Sequence, residues 1–469
     1  MEKKMNRRSF LKLFGAGTAA TATALTIGCK DKGNQPNQQE PPMGKMTYRT
    51  NPNTHDKVSI LGYGMMRLPT KGQKNGQRQR GDGEVDQEMV NKQVDYAIAH
   101  GVNYFDTSPV YTEGQSEHHT GIALKRHPRK SFLIATKMSN MGNYSREDSI
   151  AMFNNSLKEL QVDYIDYYLL HCIGTPDGDK SPMDVFNDRF INNGILHWLI
   201  DKRKEGTIRN LGFSFHGDQK VFDHALEMHD KGEVHWDFVQ IELNYLDWDY
   251  AHLINEINVN ARYLYGQLEK RGIPAVIMEP LLGGRLANIP KNAREKLQSI
   301  NPEVSIASWA FRYAATHKDV LCMLSGMTYM ENLKDNLRTV CPLKLLQPAE
   351  MTLLEKTIAK DIYDMKTIPC NDCKYCMPCP YGVDIPGIFV HYNNCILESN
   401  YPQSVKDPRY TEMRQAFLVG YDRSVPKLRQ ADHCIGCGQC QPKCPQGIPI
   451  PDELHRLADY IEELKQDLL

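Results

Sequence analysis

The chain carries almost no charge imbalance: 56 basic and 57 acidic side chains leave a formal net charge of -1 over 469 residues. Without a basic excess, nucleic acid is excluded as the expected partner. Past the N-terminal segment no apolar run reaches the about 18 residues that a spanning helix needs, so no part of the mature chain is expected to cross a membrane. No G-x-G-x-x-G run is evident, which removes the Rossmann route to a dinucleotide. Isolated cysteines are few as well, because eight of the 13 fall in two tight groups near the C-terminus. Groups of that spacing read as metal ligands before they read as disulfides.

What is present divides the chain into four stretches. The hydrophobic fraction of 41% supports a large core, and the length suits a barrel of about 250 to 300 residues plus a smaller unit. At the N-terminus Arg7 and Arg8 precede Phe10-Leu11-Lys12 and a weakly apolar run over 13–28. That pattern resembles a twin-arginine export signal, a receptor-read address rather than an anchor; a chance basic N-terminus is the plain alternative. Residues 25–29 resemble a lipoprotein cleavage box ending at Cys29, with Thr26 where Leu is usual, and an ordinary cleavage site is the other reading. The signal is assigned to 1–29 and the protein is expected to be exported, periplasmic or lipid-anchored at Cys29. Residues 30–55, rich in Gln, Asn, Pro and Gly, have the composition of a flexible linker.

From Val58 short apolar runs alternate with helix-length amphipathic segments. The runs are 58–63, 103–105, 132–136, 164–170, 210–213, 238–243, 275–278 and 320–324, with helical segments such as 90–100 and 152–160 between them. Alternation of this kind predicts a parallel sheet, and eight units predict closure into a (β/α)8 TIM barrel, placed at 56–345. Gly101, Gly206 and Gly272 stand where helices stop before the next strand. A second, smaller and mostly helical domain is expected over 346–469.

Four titratable residues stand just past, or at the end of, strand candidates: Asp106 and Tyr111, then Lys137, then His171. Strand ends at one face of a parallel barrel are where its active site lies. Each has a plainer reading: a structural ion pair for the Asp and Lys, packing for the Tyr, a satisfied core residue for the His. Together, in this order and spacing, they are identified with the active-site set of the aldo-keto reductases, and the cysteine groups with that family's iron-sulfur branch. The resemblance covers about 58–337 for the barrel and the remainder for a ferredoxin-like domain. It implies that Tyr111 is the general acid, that Lys137 lowers its pKa, that Asp106 pairs with Lys137, and that His171 orients a carbonyl. A phenol titrates near pH 10 in water, so an adjacent ammonium would make it a better proton relay at neutral pH.

The same resemblance implies NAD(H) or NADP(H) extended across the barrel mouth. Ser214 and Gln240 match positions that hold the carboxamide. Gly283, Gly284 and Arg285 match a pyrophosphate loop, where glycine lets backbone N–H groups approach phosphate. Ser325 belongs to the last loop, and Asp335 and Asn336 match adenine-side contacts. The chain departs from the family at Phe215, where Asn follows the serine, and at Met278, where an aromatic stacks under the nicotinamide. Gly326 and Asn332 replace basic readers of a 2′-phosphate, which weakens the case for NADP over NAD.

Cys370, Cys373 and Cys376 form C-x2-C-x2-C, with Cys379 before a proline; Cys434, Cys437, Cys440 and Cys444 form C-x2-C-x2-C-x3-C-P. The second run is that of two-cluster ferredoxins, in which the fourth cysteine of each run ligates the other cluster. Two [4Fe-4S] clusters are therefore expected, one on Cys370, Cys373, Cys376 and Cys444, the other on Cys434, Cys437, Cys440 and Cys379. Zinc and disulfides are the alternatives. Cys172, Cys322, Cys341 and Cys395 read as buried apolar side chains.

The expected function is an oxidoreductase that interconverts a carbonyl and an alcohol on a small molecule through nicotinamide, with the clusters for electron transfer and a redox partner protein as a further candidate. The alternative is an electron-transfer or docking module whose barrel no longer turns over nicotinamide. A dinucleotide moves two electrons as hydride and each cluster moves one, so the two do not exchange directly without an intermediary.

Overall fold

The structure, a computed structural model, describes residues 39–72 and 83–469. Arg7, Arg8 and Cys29 lie outside the described residues. Among those described, the strands are β1 Tyr48–Thr50, β2 Lys57–Ser59, β3 Leu61–Gly64, β4 Tyr104–Asp106, β5 Leu133–Met138, β6 Ile165–Ile173, β7 Ile208–Phe215, β8 Phe238–Glu242, β9 Ala275–Met278 and β10 Val320–Ser325. Strands β3 to β10 close into a barrel in the order β10-β3-β4-β5-β6-β7-β8-β9, and all eight neighbouring pairs are parallel. The eight expected runs are the eight barrel strands. The first run divides, however: 57–59 pairs antiparallel with Tyr48–Thr50, which lies inside the expected linker. The guanidinium of Arg49 fastens that hairpin to the barrel by donating to the carbonyls of His317 and Lys318.

Helices begin earlier than their apolar periodicity suggests, because polar caps extend them. Asp86 accepts from Met89 N, so the first helix is Gln87–Ala99; Ser145 accepts from Asp148 N, so the helix before β6 is Arg146–Leu160. Such caps satisfy N–H groups that the helix itself cannot. Gly272 ends Ala261–Arg271 at φ 66, a left-handed stop that a side chain would strain. Inside the barrel Tyr104, Tyr167 and Phe238 interlock edge to face with centroids 5.0 Å apart, so the interior is packed core rather than a pore.

The helical stretch from Pro348 to Tyr363 belongs with the barrel: its Leu354, Ile358, Ala359 and Ile362 join the barrel's outer core. A second core starts at Ile368 and is built by Ile385–Leu397, Tyr410–Ser424 and Ile450–Gln466 through residues such as Phe389, Phe417, Leu457 and Ile461. The boundary expected at 345 thus falls one helix early, because the apolar face of that helix is buried on the barrel. Among the described residues no helix is long and apolar enough to cross a membrane.

Candidate active site at the barrel mouth

Asp106 closes β4, Lys137 is the penultimate residue of β5, His171 lies near the end of β6, and Tyr111 sits on the loop after β4. The parallel register carries all four to one end of the barrel. Lys137 Nζ donates to Asp106 Oδ1 at 2.6 Å and to Thr107 O at 2.7 Å. Both side chains are buried, Lys137 completely. The same ammonium stands 4.7 Å from the Tyr111 ring centroid, and the Tyr111 and His171 rings meet edge to face at 5.9 Å. The four expected residues are brought together.

Their electrostatics differ from the expectation in one respect. Burial, with Tyr375 and Asp106 adding to it, holds the Tyr111 phenol well above its ordinary range, and the Lys137 charge does not offset the rise. The reason is geometric: the ammonium lies against the ring and gives its short hydrogen bonds to Asp106 and Thr107. Burial raises the Asp106 carboxyl, against the pull of Lys137. His171 is held well below its ordinary range by burial and by the neighbouring Lys137 and Arg189 charges. The site therefore holds a protonated phenol and a neutral imidazole at neutral pH.

Residues that the sequence did not single out support this set. His171 Nδ1 is 2.5 Å from Ser139 Oγ, which is 2.9 Å from Ser108 Oγ. Buried Arg189 donates to His171 O at 2.7 Å, fixing the backbone that carries the imidazole. Arg189 comes from residues 187–191, a wide helical turn with no strand-end signature, so no local signal marks it. Tyr375, between Cys373 and Cys376, stands beside the Tyr111 phenol. That contact joins the cysteine-rich domain to the barrel site and has no counterpart in either segment read separately.

The cysteine-rich domain packs over the mouth. Arg67 donates to Asn371 O at 2.6 Å, Gln446 Nε2 donates to Glu242 Oε1 at 3.3 Å, and Asn258 Nδ2 donates to Gln446 Oε1 at 3.1 Å. Beneath it a cavity of about 120 Å³ is walled by Asp106, Tyr111, Gln240, Met278 and Glu279 from the barrel and by Asn371 and Tyr375 from the domain above.

The residues expected to hold a dinucleotide are engaged otherwise. A Cβ at Gly283 would lie 2.0 Å from Asn371 O, so the backbone expected to approach phosphate is already against the chain's own carbonyl. Arg285 is half-buried and donates to Thr367 Oγ1 at 3.3 Å. Ser214 Oγ accepts from Cys172 N at 2.9 Å, Asn336 donates to Ser325 Oγ at 3.0 Å, and Asp335 accepts from Ser305 Oγ at 2.6 Å. Gly284 keeps open space, and Gln240 reaches the cavity wall. At Gly283 a pyrophosphate would meet an acceptor oxygen where it needs donors, so the seat that the resemblance gives it is occupied by Asn371.

The eight clustered cysteines gather around two cavities. Cys370, Cys373, Cys376 and Cys444 line one; Cys379, Cys434, Cys437 and Cys440 line the other, with Cys376 between them. This is the crossed pairing expected from the spacing. All twelve described cysteines are free, so disulfides are not what the clustering serves. Among the described residues no three His, Cys, Asp or Glu side chains converge on a single ion. A lone zinc draws four donors to one point, whereas thiolates standing around a cavity suit a multi-iron cube; the donor set fits [4Fe-4S]. Cys172, Cys322, Cys341 and Cys395 are buried, as their isolation suggests.

Comparison with known proteins agrees with both halves. Residues 60–358 match the model of the aldo/keto reductase family, and residues 369–449 match that of a 4Fe-4S dicluster domain. L-galactose dehydrogenase of Arabidopsis thaliana is 25% identical over 334 residues, 67% of this chain and 94% of that protein. NADH-specific methylglyoxal reductase of Escherichia coli is 25% identical over 312 residues, 59% of this chain and 89% of that protein. Among solved structures, the holo form of aldo-keto reductase AKR11C1 from Bacillus halodurans superposes with a TM-score of 0.50 at 21% identity, over 66% of this chain and 96% of that one, a likeness of fold.

Proposed function

Since this chain belongs to the aldo/keto reductase family and carries a C-terminal 4Fe-4S dicluster domain, we propose that it interconverts a carbonyl and an alcohol on a small molecule held in the cavity at the barrel mouth. The observation that carries this reading is the buried Lys137–Asp106 pair set against the Tyr111 phenol at the cavity wall. In the reducing direction Tyr111, kept protonated by burial, donates its proton to the substrate oxygen as negative charge grows there. General acid catalysis of this kind contributes roughly 10² to 10⁴ in rate. Lys137 places a positive charge beside the phenolate left behind, and neutral His171, braced by Ser139 and Arg189, donates a hydrogen bond to the same oxygen.

Reduction of the carbonyl to the alcohol takes two electrons and two protons: Tyr111 gives the proton on oxygen, solvent gives the proton on carbon, and two clusters would supply the electrons one at a time. Cys370, Cys373, Cys376 and Cys444 would hold the one nearer the barrel, Cys379, Cys434, Cys437 and Cys440 the other, with a one-electron carrier protein as the external partner. Hydride from NAD(P)H, the source implied by the family, is left out because the pyrophosphate seat is taken by Asn371. In this respect the packing favours the second reading of the sequence, a barrel that does not turn over nicotinamide, while the acid–base set argues against a barrel without chemistry. Export by the twin-arginine route, carried by Arg7 and Arg8, belongs to the same proposal: that route is a receptor-read address, and an electron supply through bound clusters suits a compartment poor in free dinucleotide.

The test is anaerobic purification followed by iron analysis, visible absorption and titration with NADH and NADPH. About eight irons per chain and no dinucleotide binding are expected. Loss of carbonyl turnover in Tyr111→Phe, with the iron retained, is the expected result for the phenol; full turnover in that variant would remove it from the mechanism.

A further inference from the structure

The two cysteine-lined cavities differ in what surrounds them. The one on Cys370, Cys373, Cys376 and Cys444 is lined also by Asn371 and Gln446, the residues that meet the barrel. The other holds Cys437, the one exposed thiol among the twelve described cysteines. It is bordered by Tyr381 and Ile435, which are 47% and 61% exposed. Beside it the turn Lys427–Arg429 rests against Gly382 and His433: Arg429 Nε donates to Gly382 O at 3.2 Å, and His433 Nε2 lies 3.1 Å from Lys427 O. That turn carries Leu428, at 81% the most exposed large apolar side chain among the described residues.

Single apolar residues on a surface need no explanation, whereas a group of them rimmed by charge marks an interaction site. The rim is basic. Residues 427–443 carry Lys427, Arg429 and Lys443 against Asp432 alone, in a chain whose charges as a whole nearly balance; Lys427 and Lys443 are exposed. A second copy of this chain would bring a basic patch against a basic patch, since a two-fold pair meets through the same surface on each side. A membrane surface would answer the charge and the apolar groups but has no use for the thiol beside them. A carrier protein with an acidic face around its own redox centre answers all three.

We infer that this patch is the docking surface for an acidic one-electron carrier protein, with Leu428, Ile435 and Tyr381 as apolar contacts and Lys427 and Lys443 steering the approach. The inference rests on the cluster assignment and the electron route proposed above, and adds where the electrons enter. Each encounter passes one electron: the carrier is oxidised, the centre held by Cys379, Cys434, Cys437 and Cys440 is reduced, and two encounters meet the need of one carbonyl reduction. Contacts of this kind are small, below about 1,200 Å² in total, so few side chains carry them and each is open to test.

The probe is an acidic plant-type [2Fe-2S] ferredoxin added to the full-length, cluster-loaded protein. Calorimetry with both proteins oxidised measures binding without electron flow, and freeze-quench electron paramagnetic resonance with the ferredoxin reduced measures transfer. Affinity is expected to fall at least about tenfold between roughly 0.01 and 0.15 M salt, as the Debye length shortens from about 30 to about 8 Å. Lys427→Glu, reversing one charge about 6 Å from an acidic partner group in water, is expected to weaken binding about tenfold. Leu428→Ser removes an apolar contact from a position too exposed to support the fold and is expected to weaken binding by a similar factor; iron content is checked in each. Parent affinity indifferent to salt, or full affinity in both variants, would overturn the assignment. So would binding of the chain to vesicles of phosphatidylglycerol and phosphatidylcholine that Lys427→Glu abolishes. Iron-free parent protein would sink the cluster reading beneath the inference, whereas loaded parent protein that fails to bind sinks the docking surface alone. Binding without carbonyl turnover supports the surface and counts against the carbonyl chemistry.

Discussion

Removing one partner of the Lys137–Asp106 pair gives the sharpest test of how the site is held. The charges lie 2.6 Å apart and both residues are almost wholly buried, at 0% and 2% exposure. At an effective dielectric constant of about 20 their attraction is about 6 kcal/mol, much of it offset by the cost of taking both ions out of water. Asp106→Asn strands an ammonium whose remaining strong acceptor is Thr107 O; Lys137→Met strands a carboxylate whose second oxygen already has no partner. Each single variant is expected to lose about 3 to 5 kcal/mol, and the double variant, with no buried charge left over, to lie within about 1 kcal/mol of the parent. Urea unfolding followed by tryptophan fluorescence measures this in the barrel, because Trp198, Trp236, Trp248 and Trp309, all four tryptophans, lie there. Additive losses, with the double variant falling by the sum of the singles to within about 0.5 kcal/mol, would mean that the two residues do not hold each other and that the site is braced elsewhere.

Further outcomes are expected. Burial pushes the Glu117 carboxyl up to about 7, against the hydrogen bonds it accepts from Thr136 and Ser156; its folded pKa lies above its unfolded one, so its contribution is full below pH 4.5 and falls as pH rises to 7. The loss is about 3 kcal/mol, and Glu117→Gln should flatten the stability profile over that window; a parent profile already flat there would refute the assignment. Under crossed ligation Cys379→Ser and Cys434→Ser strike the same cluster, so the double variant should keep about four irons per chain, whereas loss of nearly all iron would show that each run ligates its own. With Tyr111 held above its ordinary range and His171 below it, the carbonyl reduction rate should be level between pH 6 and 9. An inflection near 6.5 that disappears in His171→Asn would show that the imidazole titrates during turnover.

Local patterns were enough for the barrel and for the identity of its polar residues. Strands buried on both faces leave continuous apolar runs, as in Ile165–Ile173, and the acid, phenol, lysine and imidazole follow such runs directly. The two groups of thiols were legible too, because ligand spacing within a run is a short-range constraint. Legibility failed where contacts span distant segments. Arg189, Ser139, Glu279 and Asn371 are ordinary polar residues until folding brings them together, and Gly283 looked like a phosphate contact until Asn371, from another domain, came to rest on it.

Sequence alone therefore determined the closed parallel barrel, the four residues at its mouth and the two sets of thiols, all set by periodicity and spacing within a few tens of residues. Tertiary structure decided what those residues can do. Burial keeps the Tyr111 phenol protonated, and docking of the cysteine-rich domain sets Asn371 O against Gly283 and leaves a cavity whose wall holds unpartnered acceptor atoms. The physical reason is that desolvation and steric exclusion depend on what surrounds a group in space, and that is fixed only when segments far apart in the chain have packed.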